Sequence, residues 1–194
     1  MEIVLVRHTS VDVPRGTCYG WTDVPVHNTF EKEAEVTRQS LEPFLPFDKV
    51  FSSPLTRARK LAAYCGYPDA ETDDRLKEMN MGEWEMQLYD KIKDPHLQEW
   101  YDDYIHQPTT GGESFLQQYQ RVAAFLDELK GKPYQRVAIF AHAGVLISAG
   151  LYGGLYSWDN AWDNLADYGE FIVIRNRHPH SCNLELTTQY LQLL

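Results

Sequence analysis

Cysteine is scarce in this chain. It has three, Cys18, Cys65 and Cys182, an odd and widely spaced set that excludes a disulfide framework as the basis of the fold. Positive charge is also in deficit: 18 Lys and Arg face 28 Asp and Glu, a formal net charge of −10. General attraction to nucleic acid or to an anionic membrane surface is therefore not expected. Long apolar runs are missing too. The longest weakly polar stretch, Ala143 to Trp158, is shorter than a membrane span and holds four glycines. The first residues lack the basic lead-in and cleavage site of a secretion signal, so the cytoplasm is the expected compartment. No repeat, low-complexity tract or Gly/Ser/Pro linker divides the chain, and one domain over residues 1–194 is expected.

Apolar and aromatic residues are plentiful instead. They make up 43% of 194 residues, with 12 Tyr, 8 Phe and 5 Trp, enough to bury a full core. Three apolar runs of strand length share one grammar. Glu2–Val6 ends in Arg7-His8. Lys49–Ser52 leads into SPLTRARKLAAYCG, where Ser53 and Pro54 predict an N-cap and first helical residue, and Leu55, Ala58, Leu61, Ala62 and Cys65 predict one buried face. Arg136–Ala141 ends in His142 and Gly144 before a further apolar helix. Near-continuous apolar strands alternating with helices predict a mainly parallel sheet covered on both faces, a three-layer α/β/α sandwich.

In such sheets ligands bind beyond the carboxyl ends of the strands. Arg7, His8, Arg57 and His142 all fall at or just past those ends, and Arg57 belongs to the first turn of a helix, where free N–H groups favour an anion. A lone histidine at a strand end usually serves structure. Four such groups at equivalent topological positions predict a phosphate pocket, a local positive site on an acidic protein. Competing phosphate chemistries leave no trace. There is no Walker loop or Gly-x-Gly-x-x-Gly, and the residues six places after the cysteines are Val24, Glu71 and Thr188 rather than arginine.

Further along, Ser114 and Gln117 predict a capping box for a helix with Phe115, Tyr119, Val122, Leu126 and Leu129 on one face and Gly131 after it. Residues 86–112 are irregular and rich in aromatics and acids, as expected of a helical cap insertion. The tail FIVIRNRHPHSCNLELTTQY predicts strands joined by a Pro-containing turn. Within it His178, His180 and Cys182 alternate, but three potential ligands without a fourth read as a polar turn, and no metal is expected.

The blocks LVRHT, YGWTD, SSPLTRA, LKEMNMGEWE, GGESF and AHAGV occur in this order over nearly the whole chain. Together they resemble the histidine phosphatase superfamily, the fold shared by cofactor-dependent phosphoglycerate mutases and many phosphatases. The resemblance implies a phosphoglycerate mutase-like fold, a small phosphate ester as substrate, and no metal or organic cofactor. It makes His8 the nucleophile, places Arg7, Arg57 and His142 around the phosphoryl oxygens, and assigns the proton donor to Glu78, with Glu83 and Glu85 as rivals. Two motifs depart from the usual pattern. Arg-His-Gly reads Arg7-His8-Thr9, and Ser-His-Gly-Gly reads Ala141-His142-Ala143-Gly144, so Ala143 is expected to reshape the pocket wall.

Within the superfamily, VPRGTCYGWTDVPV, EMNMGEWEM and PTTGGESF resemble the α-ribazole phosphatases. That resemblance implies removal of the 5′-phosphate of α-ribazole 5′-phosphate, or of its cobamide form, in cobalamin assembly, with Tyr19, Gly20 and Trp21 at the substrate. Tyr19, Trp21, Trp84, Trp100, Tyr101 and Tyr104 offer rings for stacking a benzimidazole. Packing against the sheet explains each of them equally well. A broad-specificity phosphatase or a mutase-like enzyme is the alternative. An idle binding module is disfavoured by the complete set Arg7, His8, Arg57, Glu78 and His142.

Overall fold

The computed structural model describes residues 1–175. Five strands form one sheet: β1 (Glu2–Arg7), β2 (Lys49–Ser52), β3 (Glu71–Thr72), β4 (Arg136–Ala141) and β5 (Phe171–Arg175), in the order β3-β2-β4-β1-β5. All pairings are parallel except that of β5, which runs antiparallel to β1 at the edge. Alternation along β1 builds the two faces. Ile3 and Leu5 join Val122, Phe125, Leu126 and Leu129 of α4 (Phe115–Lys130) and Val145, Leu146 and Ala149 of α5 (Ala143–Tyr152). Val4 and Val6 meet Ala34 of α1 (Phe30–Ser40) and Leu61 and Ala62 of α2 (Thr56–Tyr64) on the other face. Burying each large aliphatic side chain contributes about 1.5–3 kcal/mol, so these two layers hold the sheet between them. The three-layer α/β/α architecture with a mainly parallel sheet is the one expected.

The capping box of α4 forms as the sequence predicts: Ser114 accepts from the Gln117 N–H, and the Gln117 side chain accepts from the Ser114 N–H. The start of α2 does not follow the prediction. The helix begins at Thr56, and its cap comes from across the molecule, where Asp23 accepts from the Thr56 N–H at 2.8 Å and from its hydroxyl. Ser53 lies three residues ahead of the helix, where its hydroxyl accepts from the Leu55 N–H and meets His142. Residues 86–112 contain a 3₁₀ turn at Tyr89–Lys91 and one short helix, α3 (Leu97–Asp102). Their Ile92, Leu97, Trp100 and Tyr104 gather with Trp84, Met79, Met81, Phe115 and Ile147 in a third apolar cluster. The predicted strand after Arg175, and with it His178, His180 and Cys182, lies outside the described residues. No helix among the described residues is long and apolar enough to cross a membrane.

Candidate active site

The parallel register assembles the site. Arg7 pairs with Ala141 and Ser52 with Phe140, so β1, β4 and β2 end side by side. The His8 N–H then reaches the Ala141 carbonyl at 3.0 Å, and the Ser53 N–H reaches that of Phe140 at 2.8 Å. His8 and His142 emerge as neighbours, with ring centroids 5.2 Å apart. Nδ1 of His8 lies 2.7 Å from the Thr9 carbonyl. A carbonyl can only accept, so Nδ1 carries the hydrogen and Nε2 carries a lone pair. Nε2 in turn accepts from Arg57 Nε at 3.3 Å. Burial, and after it the positive charges of Arg57 and Arg7, push the His8 pKa well below the ordinary value, which keeps the ring neutral. His142 is held down in the same direction by burial and then by Arg57.

Arg57 is fully buried. Its remaining nitrogens donate to the Gly20 carbonyl at 2.6 Å and the Thr22 carbonyl at 3.0 Å. Burial lowers its pKa while Glu78 acts in the opposite direction; an arginine remains charged under such shifts. The 20–22 loop is tied down by Glu85, whose carboxylate accepts from the N–H groups of Gly20, Trp21, Thr22 and Met81. Both Glu85 oxygens are thereby committed to loop backbone. Gly20 must be glycine, because a Cβ there would sit 1.8 Å from the Met79 carbonyl oxygen. Arg7, the second cation, donates to the Ala166 carbonyl at 2.6 Å and stacks over the Tyr168 ring at 4.0 Å.

Glu78 is anchored at the start of α5. Its Oε1 accepts from the Met79 N–H at 2.9 Å and from Gln118 Nε2 at 2.8 Å, and its Oε2 accepts from the Gly144 N–H at 3.2 Å. Arg121 fixes the backbone beneath it, donating to the carbonyls of Arg75, Lys77 and Glu78 while pairing with Glu113. Glu113 in turn accepts from the Asn80 N–H. Glu83 is exposed, lies beside Gly111 and makes no side-chain hydrogen bond among the described residues. The structure therefore brings together Arg7, His8, Arg57, His142 and Glu78, and leaves Glu83 and Glu85 outside that group.

Tyr19, Trp21 and Tyr168 surround the mouth. The Tyr19 and Tyr168 hydroxyls are 3.0 Å apart, Tyr168 tilts against His8 at 5.6 Å between centroids, and Trp21 donates its indole N–H to the Glu78 carbonyl at 2.7 Å. Trp84 is not at the mouth: it is 1% exposed, in the third apolar cluster, with its indole N–H on Asp94. Trp100 and Tyr104 pack against the same cluster, while Tyr101 is exposed. For Trp84, Trp100 and Tyr104 the structure shows the packing alternative. Sequence reasoning missed Tyr168, Gln118, Ser53 as a histidine partner, and Arg121. Only Arg121 had a signal, its eight-residue spacing from the Glu113 of GGESF, and that signal gains meaning only after folding.

A mainly parallel sheet whose strand ends hold a neutral histidine between two arginines is an α/β protein arranged to meet an oxyanion. The chain belongs to the histidine phosphatase superfamily (branch 1), whose family model matches residues 3–180. Phosphoserine phosphatase 1 of Hydrogenobacter thermophilus is 27% identical over 150 residues, 73% of this chain and 71% of that protein. The adenosylcobalamin/alpha-ribazole phosphatase of Salmonella typhimurium is 29% identical over 155 residues, 75% and 76% of the two chains. The crystal structure of the alpha-ribazole phosphatase from Shigella flexneri superposes with a TM-score of 0.81 at 26% identity, covering 91% of each chain. Two further curated relatives, 31% and 35% identical, are matched over only about half their own length, 52% and 49%.

Proposed function

We propose that this protein is a phosphomonoester hydrolase that works through a phosphohistidine at His8, and that its substrate is α-ribazole 5′-phosphate or the corresponding cobamide. The observation that carries the reading is the state of His8: neutral, with Nδ1–H fixed on Thr9 and the Nε2 lone pair turned towards Arg57. Nε2 attacks phosphorus, and the ester P–O bond breaks as the N–P bond forms. The ring gains positive charge in this step, and the Thr9 carbonyl stabilises it through Nδ1–H. Arg7, Arg57 and His142 hold the phosphoryl oxygens, where fixed donors in a buried site stabilise developing charge strongly. Glu78 gives its proton to the departing ester oxygen, which leaves as the alcohol. In the second half Glu78 takes a proton from the attacking water, the N–P bond breaks, and phosphate and neutral His8 are regenerated.

Tyr19, Trp21 and Tyr168 are the rings within reach of the group beyond the phosphate, and the family relatives named for α-ribazole support that choice of substrate. One stacked ring contributes about 1 kcal/mol beyond its buried area, roughly fivefold in kcat/KM. Two measurements test the proposal. Rapid denaturation in alkaline detergent, under which an N–P bond survives, after mixing with ³²P-labelled ester should trap label on the wild-type chain and none on His8→Ala, whose turnover should fall by orders of magnitude. The kcat/KM for α-ribazole 5′-phosphate should exceed that for ribose 5-phosphate, which keeps the reacting end but lacks the base. A ratio near unity assigns the chain to general small-ester hydrolysis, the reading its phosphoserine phosphatase relative favours.

A further inference from the structure

Three hydrogen bonds treat the two oxygens of Glu78 unequally. Oε1 accepts two, from the Met79 N–H at 2.9 Å and from Gln118 Nε2 at 2.8 Å, whereas Oε2 accepts one long bond from Gly144 at 3.2 Å. Gln118 projects from α4 and is completely buried. Its own carbonyl oxygen has no partner among the described residues. Gly144 makes the close approach possible, since a Cβ there would lie 2.5 Å from both Glu78 Oε1 and Gln118 Oε1. An unpaired buried carbonyl costs stability, and an apolar side chain of similar volume would avoid that cost. Packing alone therefore gives no reason for an amide at this position.

We propose that Gln118 is a positioning residue that reserves Glu78 Oε2 as the oxygen that carries the proton. An oxygen already accepting two N–H bonds has its lone pairs engaged, and a proton placed on it would oppose both donors. Protonation is directed to Oε2, on the side of the carboxyl that faces Gly144, two residues along the chain from His142. With Oε1 pinned by the amide, the carboxyl plane cannot turn, so the same oxygen gives the proton to the leaving alcohol and takes one from water. This inference rests on Glu78 being the proton donor. It adds a residue that no pattern around GGESF assigns to the chemistry.

The test compares Gln118→Leu, Gln118→Glu and Glu78→Gln in the full chain, using ribose 5-phosphate and p-nitrophenyl phosphate as esters. It reads kcat/KM, which covers binding and phosphorylation of His8 and excludes the later release of phosphate from it. In Gln118→Leu the thermal midpoint should stay or rise. Its kcat/KM should fall roughly 10- to 100-fold for the alkyl ester, as expected for a misplaced catalytic group, and little for the aryl ester, whose leaving group needs no proton. In Gln118→Glu a second carboxylate beside Glu78 disfavours ionisation of both, so the alkaline limb of the alkyl-ester profile should move to higher pH. Equal losses on the two esters in Gln118→Leu, or an unmoved alkaline limb in Gln118→Glu, would overturn the proposal. If Glu78→Gln shows no leaving-group bias, the proton-donor reading itself falls and this inference with it. If Glu78→Gln shows the bias and Gln118→Leu does not, only the inference fails. Should Gln118→Leu not fold, Gln118→Met supplies the same comparison.

Discussion

His142 meets Ser53 through Nε2 at 2.7 Å, and Ser53 Oγ also accepts from the Leu55 N–H at 3.3 Å. With the Ser53 hydroxyl donating to the imidazole, the ring hydrogen sits on Nδ1. That atom is buried and has no partner among the described residues, as is Arg7 Nε nearby. Both are donors ready for an oxyanion, and Ser53 sets the tautomer of one of them. Ser53→Ala should therefore weaken inhibition by inorganic phosphate by about 1 kcal/mol, roughly fivefold, the net worth of one hydrogen bond. A competition assay against the ester substrate measures it. The same resolution applies to the carboxylates. Glu78→Gln should lower kcat/KM for an alkyl ester by about 10²- to 10⁴-fold, the range of general acid catalysis. Glu83→Gln should stay near wild type, because Glu83 is exposed beside Gly111. If the large loss fell on Glu83 instead, the assignment would be reversed.

Among the elements, those with a local cause were legible. The runs before Arg7 and His142 gave β1 and β4, and the Ser114–Gln117 spacing gave the cap of α4. What the sequence hid depends on contacts between distant segments. No periodicity reveals that Asp23 caps α2, that Glu85 gathers the N–H groups of the 20–22 loop, or that Tyr168 comes back against Arg7. The aromatics of residues 84–104 were ambiguous for a related reason: composition does not distinguish a ring at a pocket mouth from one in a core cluster. The clamp by Glu85 carries a prediction at this scale. Glu85→Ala leaves four backbone N–H groups without their carboxylate and frees the loop that binds Arg57 through Gly20 and Thr22. Charged hydrogen bonds contribute about 1.5–3 kcal/mol each in favourable sites, and water recovers part of that for the exposed N–H groups. The variant should lose about 2 kcal/mol of stability and much of its activity, as denaturant unfolding and turnover would register. Wild-type values in both would show that the loop needs no clamp.

At the scale of the whole molecule, two histidines buried among the described residues, His8 and His142, link stability to pH. Both have folded-state pKa values held well below the ordinary 6.5, first by burial and then by Arg57. Above that value both states are neutral and nothing changes. Below it the unfolded chain takes up protons that the native pocket refuses, so stability should fall as pH drops from about 6.5 towards 5. Thermal midpoints across that window test the sign, and a His8→Gln/His142→Gln double variant should flatten the slope. A slope that survives the double variant would place its origin elsewhere. The strand register has one more consequence, and it concerns time. His8 comes from the start of the chain and His142 from far beyond it, and only the completed pairing of β1, β4 and β2 makes them neighbours. Such distant pairings form slowly compared with helices. During refolding, helical signal should return first and hydrolysis last, so that turnover serves as a clock for closure of the central sheet.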